Sequence, residues 1–262
     1  MELGSWGAIS STGAPAVRDG HVAAWVSSVM FVWGGRSSSG PLGDGAIYNR
    51  TTGQWTAVPA ADAPSARFGA SAVVAGNRVL IWGGTGTNGP LNTGGQLSFQ
   101  PGPPVTPVAW SAISTLNAPS ARTGHAAIWT GSRMIIWGGR NGGAFLGDGA
   151  LFDPNTGGWT AITSVGAPVA RADASVVWTG QEMLVFGGET ATGETATGAA
   201  YNPTTNRWRP LTSAGSPVPR SGATPVWTGS EFILFGGQSG NSPVAALQRL
   251  APQPTWYFYR KL

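Results

Sequence analysis

The chain has 262 residues with 41 glycines, 20 prolines, two histidines and no cysteine, and charged side chains make up only 10% of it. Disulfides and thiolate metal sites are therefore excluded, and two histidines leave almost nothing for a metal centre. A net charge of +4 spread over this length is too thin for the basic stripe that nucleic acid demands. No run of 18 apolar residues occurs, and Met1-Glu2-Leu3-Gly4 lacks the charged and apolar regions of a secretory leader. The expectation is a soluble module with no membrane insertion, cut from a secreted or extracytoplasmic parent.

Along the chain the same elements recur. Five times a tryptophan is followed 28 residues later by a double glycine, from Trp6 to Gly34-Gly35, Trp55 to Gly83-Gly84, Trp110 to Gly138-Gly139, Trp159 to Gly187-Gly188 and Trp208 to Gly236-Gly237. A repeat near 50 residues is the period of a propeller blade, and single repeats cannot bury their own apolar faces, so the length counts as one domain over 1–262. The repeats run over about 6–54, 55–109, 110–158, 159–207 and 208–256.

Each repeat carries four strand signals. The first falls at His21 to Val26, Ala70 to Ala75, Ala126 to Thr130, Ala174 to Thr179 and Thr224 to Thr228. The second is a short apolar run into the glycines, as in Met30-Phe31-Val32-Trp33 and Met134-Ile135-Ile136-Trp137. Between them lie Thr-Gly turns such as Thr130-Gly131, where glycine supplies the positive φ. The third strand, Ala46 to Tyr48, Ala150 to Phe152 and Ala199 to Tyr201, ends in Asx-initiated turns such as Asp153-Pro154-Asn155-Thr156-Gly157. The fourth strand carries the tryptophan, and six such tryptophans (Trp6, Trp55, Trp110, Trp159, Trp208, Trp256) compete for five slots. The strand around Trp6 is expected to complete the last blade, leaving Thr255 to Tyr259 as an outer strand or as a surplus strand for self-association, because closure removes sheet edges that aggregate.

The order Pro, Arg-x-Gly, apolar strand, Gly-Gly, Tyr, Trp resembles the kelch repeat, and five in-frame copies cover essentially the whole chain. The resemblance implies an all-β propeller of five four-stranded antiparallel blades, with first strands innermost and N- and C-terminal strands paired to close the ring. Kelch propellers usually have six or seven blades, and here five Gly-Gly units stand.

In such a meander the loop entering the first strand and the loop leaving the double glycine share one face. An arginine stands 16 residues before every double glycine: Arg18, Arg67, Arg122, Arg171 and Arg220. That face therefore holds a ring of five guanidiniums around the channel mouth. Either each braces its own blade by donating to loop carbonyls, or the ring takes a ligand. Resemblance favours the ligand, since in some kelch domains this arginine grips carboxylates of an acidic peptide; forked planar donors suit carboxylates, and Lys261 is the single lysine.

All 13 tryptophans fall at repeat positions, which assigns them to packing between blades and weakens a sugar-stacking reading. Residues that differ between blades are not needed to make a blade. Asp173 stands where the other repeats have Gly20, Gly69, Gly124 and Gly222, with Asp19 and Phe68 at the neighbouring position; Arg36, Thr85, Arg140, Glu189 and Gln238 follow the glycines. His21 and His125 occupy equal positions and read first as core histidines. Arginines and acids nearly balance on this face, so a salt-bridged rim is a competing reading.

The preferred function is a binding module without cofactor or metal, whose mouth, formed by the five arginines with Arg36, Arg140, Glu189 and Phe68, takes an acidic peptide, a terminal carboxylate or an anionic glycan. One alternative is a hydrolase or lyase using Asp173, Asp19, His21 and His125 as acid and base groups, and another is an assembly scaffold.

Overall fold

In the computed structural model, which describes residues 7–251, the chain is an all-β, five-blade β-propeller with no helix among the described residues. Blade one is formed by Val22–Val26, Val29–Trp33, Gly45–Asn49 and Gln54–Ala57, paired antiparallel in that order. Blade two has Ser71–Ala75, Arg78–Trp82, Gly94–Gln100 and Thr106–Ile113; blade three has Ala126–Trp129, Met134–Trp137, Gly149–Asp153 and Gly158–Ala161. Blade four has Ser175–Trp178, Met183–Phe186, Gly198–Asn202 and Arg207–Pro210. Blade five shows Thr224–Trp227, Phe232–Phe235 and Leu247–Leu250. The strands expected around Trp6 and Trp256 lie outside the described residues.

First strands of successive blades pack on one another from blade one to blade five, which sets them at the axis. Because side chains alternate along a strand, each blade presents one apolar face forward and one backward. Blade one's Val22, Phe31 and Trp33 thus share a core with blade two's Val79, Ile81, Leu97 and Trp110. In the first three blades the tryptophan before the double glycine lies against the fourth-strand tryptophan of the next blade, as Trp33 on Trp110 at 5.5 Å, Trp82 on Trp159 at 5.7 Å and Trp137 on Trp208 at 5.2 Å between ring centroids. The fourth-strand indoles in turn staple the interblade linkers, Nε1 donating from Trp110 to Pro59 O (2.9 Å), from Trp159 to Ser114 O (2.8 Å) and from Trp208 to Thr163 O (3.0 Å).

Double glycines make the junctions possible. The second glycine donates its N–H to the backbone carbonyl of the next blade's repeat arginine: Gly35 to Arg67 O (2.8 Å), Gly84 to Arg122 O (3.0 Å), Gly139 to Arg171 O (2.8 Å) and Gly188 to Arg220 O (2.7 Å). Both glycines have positive φ, Gly138 at 70° and Gly139 at 98°, and a Cβ on Gly138 would stand 2.8 Å from Arg171 O. No side chain fits there. Between blade five and blade one the equivalent bond, from Gly237 N to Arg18 O, is not made among the described residues. At that seam Trp25, Val226 and Phe235 remain 53%, 53% and 54% exposed, whereas Val177 and Phe186, the counterparts of Val226 and Phe235 in blade four, are buried.

Candidate functional site at the channel mouth

Every repeat arginine is a brace. Arg122 donates from Nε to Ser120 O (2.9 Å), from Nη1 to Gly138 O (2.9 Å) and Asp148 O (3.1 Å), and from Nη2 to Ser120 Oγ (3.0 Å) and the Asp148 carboxylate (3.0 Å). Arg67 repeats the pattern on Ser65, Gly83 and Thr93, and Arg171 on Val169, Gly187 and Thr197. Arg220 reaches Gly236 O at 3.1 Å, and Arg18 reaches Gly34 O at 3.0 Å and pairs with Asp44 at 2.9 Å. Arg67, Arg122, Arg171 and Arg220 are buried. Burial pulls Arg67 and Arg171 down to about 10, still charged at neutral pH. The guanidinium plug of blade two thus locks its own loops, while the same residue's carbonyl ties that blade to blade one.

This corrects the expected arginine-lined mouth. The forked guanidiniums of Arg18, Arg67, Arg122, Arg171 and Arg220 point into their blades because the Gly-Gly carbonyl and a carbonyl 26 residues downstream offer convergent acceptors, and burial without those partners would be costly. A signal for this was present in the sequence: the residues 26 positions after the arginines are Asp44, Thr93, Asp148, Thr197 and Ala246, four of which supply a second, side-chain acceptor. It was hidden because Asp44 and Asp148 also read as turn caps.

The residues beside the repeat arginines and the double glycines come in pairs. A short backbone bridge in each blade sets the residue after the repeat arginine beside the residue after the double glycine: Asp19 with Arg36, Phe68 with Thr85, Thr123 with Arg140, Ala172 with Glu189 and Ser221 with Gln238. The residues after the glycines also begin two-residue ribbons, such as Arg36–Ser37 with Gly40–Pro41, too short to leave a periodic signal. Side chains then reach across junctions. Arg36 donates Nε to Asp19 Oδ1 at 2.8 Å and lays its guanidinium over the Phe68 ring of blade two, 4.7 Å from the centroid. Among the described residues its two terminal nitrogens make no hydrogen bond. Arg140 of blade three donates to Glu189 Oε2 of blade four at 3.0 Å and stands 3.6 Å from Asp173.

Asp173 keeps φ at 54°, close to the 60–63° of Gly20, Gly69, Gly124 and Gly222, a region that costs a side-chain-bearing residue roughly 1–2 kcal/mol. Burial pushes its carboxyl above the usual carboxylate range, opposed by Arg140 and reinforced by Glu189. Its surroundings form an open concavity of about 670 Å³ with Ser221, Gln238 and Asn241.

Histidine 125 takes no part at the mouth. It lies behind Gly83, with Nε2 2.8 Å from Ser71 Oγ and its ring edge-on to Trp82. Burial first, and Arg122 second, push it down to about 3. It is a part-buried packing histidine, its ring held between Ser71 and Trp82. His21 is exposed at the start of blade one's inner strand, and Asp19 is spent on Arg36, so the proposed acid and base groups are not brought together by any bond among the described residues.

No curated protein matches the chain. Residues 1–167 and 104–257 match the family model of the KLHDC2/KLHL20/DRC7 Kelch-repeats domain. With five blades stitched by Arg-x-Gly and Gly-Gly, the chain belongs to that kelch-repeat family.

Proposed function

We propose that this kelch propeller is a protein-binding module that engages an acidic side chain or a terminal carboxylate of its partner at the channel mouth, through Arg36 and Arg140 and not through the buried repeat arginines. Support comes chiefly from Arg36. Its guanidinium is half exposed, its central carbon lies over the Phe68 ring, and its terminal N–H groups carry no internal acceptor among the described residues. A planar fork already fixed in place loses little entropy on gripping a carboxylate. Arg140 and Asp173 lie at the junction of blades three and four, where Glu189 can yield its place on Arg140 to an incoming acid.

The test is fluorescence anisotropy with a labelled peptide alternating Glu and Gly and with its Gln analogue. Arg36→Ala combined with Arg140→Ala is expected to weaken the Glu peptide at least tenfold, about 1.4 kcal/mol, and to leave the Gln peptide unchanged. Equal affinity for the two peptides would sink the reading.

A further inference from the structure

On the face opposite the mouth, the residue five positions before each double glycine tells a different story in each blade. Val29 is buried in the core shared by blades one and two. Arg78 donates from Nη1 to Pro154 O at 2.9 Å and from Nη2 to Asn155 Oδ1 at 3.1 Å, clasping the turn of blade three. Glu182 pairs with Arg209, and Glu231 with Arg249 at 2.9 Å. Arg133, alone of the charged residues in this set, makes no side-chain hydrogen bond or ion pair among the described residues. The turn that it would clasp by analogy, Pro203-Thr204 of blade four, instead forms the far wall of a groove of about 720 Å³ between blades three and four.

We propose that this groove is a binding site for a carboxylated sugar, a hexuronate unit of an acidic glycan, with Arg133 holding the carboxylate. The volume lies within the roughly 300–1,000 Å³ of small-ligand sites. Leu151 gives an apolar floor, and Trp178, part-buried in the core of blades three and four, gives an apolar wall for the C–H face of a sugar ring. Asn202 spends its Oδ1 on the backbone N–H groups of Thr204 and Thr205, which leaves its amide nitrogen, Gln181 and the two threonine hydroxyls for sugar hydroxyls. No acidic side chain lines the groove, so one guanidinium meets one carboxylate without competition. Walls made of hairpin and turn residues suit a polyhydroxylated ring better than an extended peptide, which adds to a strand edge. Nothing in this site is shared with the mouth.

Isothermal titration with digalacturonate, digalactose and the Glu-Gly peptide decides the matter. Saturable binding of digalacturonate is expected, with digalactose and the peptide at least tenfold weaker. Arg133→Gln, at an exposed position that does not threaten folding, is expected to cost at least tenfold, while Arg78→Gln leaves binding unchanged. Arg36→Ala with Arg140→Ala should also leave it unchanged, which separates this site from the mouth. The proposal is overturned by absence of digalacturonate binding at about 10 mM, by equal binding of digalactose, by an unaffected Arg133→Gln variant, or by a peptide that binds more tightly than the sugar and depends on Arg133.

Discussion

Replacing Arg122 by methionine keeps most of the apolar stem and removes the fork. Methionine cannot donate, so Gly138 O, in a buried setting, loses its donor, Asp148 O keeps only the Gly138 N–H, and the Asp148 carboxylate, 58% exposed, turns to water. One stranded carbonyl at roughly 1–3 kcal/mol, with the net loss of the remaining Arg122 bonds at about 0.5–1 kcal/mol each, gives a loss of about 3 kcal/mol, a large part of the 5–15 kcal/mol that holds a typical domain. Urea unfolding followed by tryptophan fluorescence reads this directly. With a slope of about 3 kcal/mol per molar, the midpoint falls by about 1 M at unchanged slope. Arg36→Met, which removes a half-exposed ion pair worth at most about 1 kcal/mol, serves as the reference. If Arg122→Met moves the midpoint no further than Arg36→Met does, the bracing role is wrong.

Other consequences can be measured in the same way. His125 titrates at about 3 in the folded chain against about 6.5 unfolded; a depressed pKa means that stability is full above 6.5 and is lost as pH falls toward 3. From pH 7 to 4.5 this group contributes a loss of roughly 2–3 kcal/mol, and His125→Ala, the residue found at Ala70, Ala174 and Ala223, should shrink the pH difference by that amount; parallel pH profiles would contradict the assignment. Asp173→Gly relieves a left-handed backbone and gives up a 3.6 Å ion pair, so the unfolding free energy should rise by up to about 1 kcal/mol; a drop would mean that the carboxylate supports the fold. Gly138→Ala places a Cβ 2.8 Å from Arg171 O, whereas Gly236→Ala, at the seam between blades five and one, meets among the described residues only Val244 O at 3.6 Å. Both share a φ near 70° and its cost of roughly 1–2 kcal/mol, and the first should lose about 2 kcal/mol more through the clash. Equal losses would show that the seam is as tightly packed as the other junctions.

Strands were legible because each keeps its period against a fixed Gly-Gly. The second strand, Met134 to Trp137, appears with the bounds expected, and the third needed one residue at each end, as in Gly149–Asp153 for Ala150 to Phe152. Side-chain direction at the mouth was not legible. An arginine in a loop reads alike whether its fork turns outward to a ligand or inward to carbonyls 16 and 26 residues away, because backbone acceptors carry no residue-type signal. Pairing across the mouth was hidden for a related reason: one-residue bridges such as Asp19 with Arg36 have no periodicity, and the contact of Arg36 with Phe68 joins side chains 32 positions apart in different blades. Departures among the repeats singled out Arg36, Phe68, Arg140, Asp173 and Glu189, which join in side-chain contacts across blade junctions.

The separation of building arginines from binding arginines is tested most directly by the Glu-Gly peptide titrated against Arg122→Met at a temperature where that variant is fully folded. Affinity within twofold of the parent is expected, beside the tenfold loss in the Arg36→Ala, Arg140→Ala protein. Loss of binding in folded Arg122→Met, with binding retained in the double variant, would contradict it.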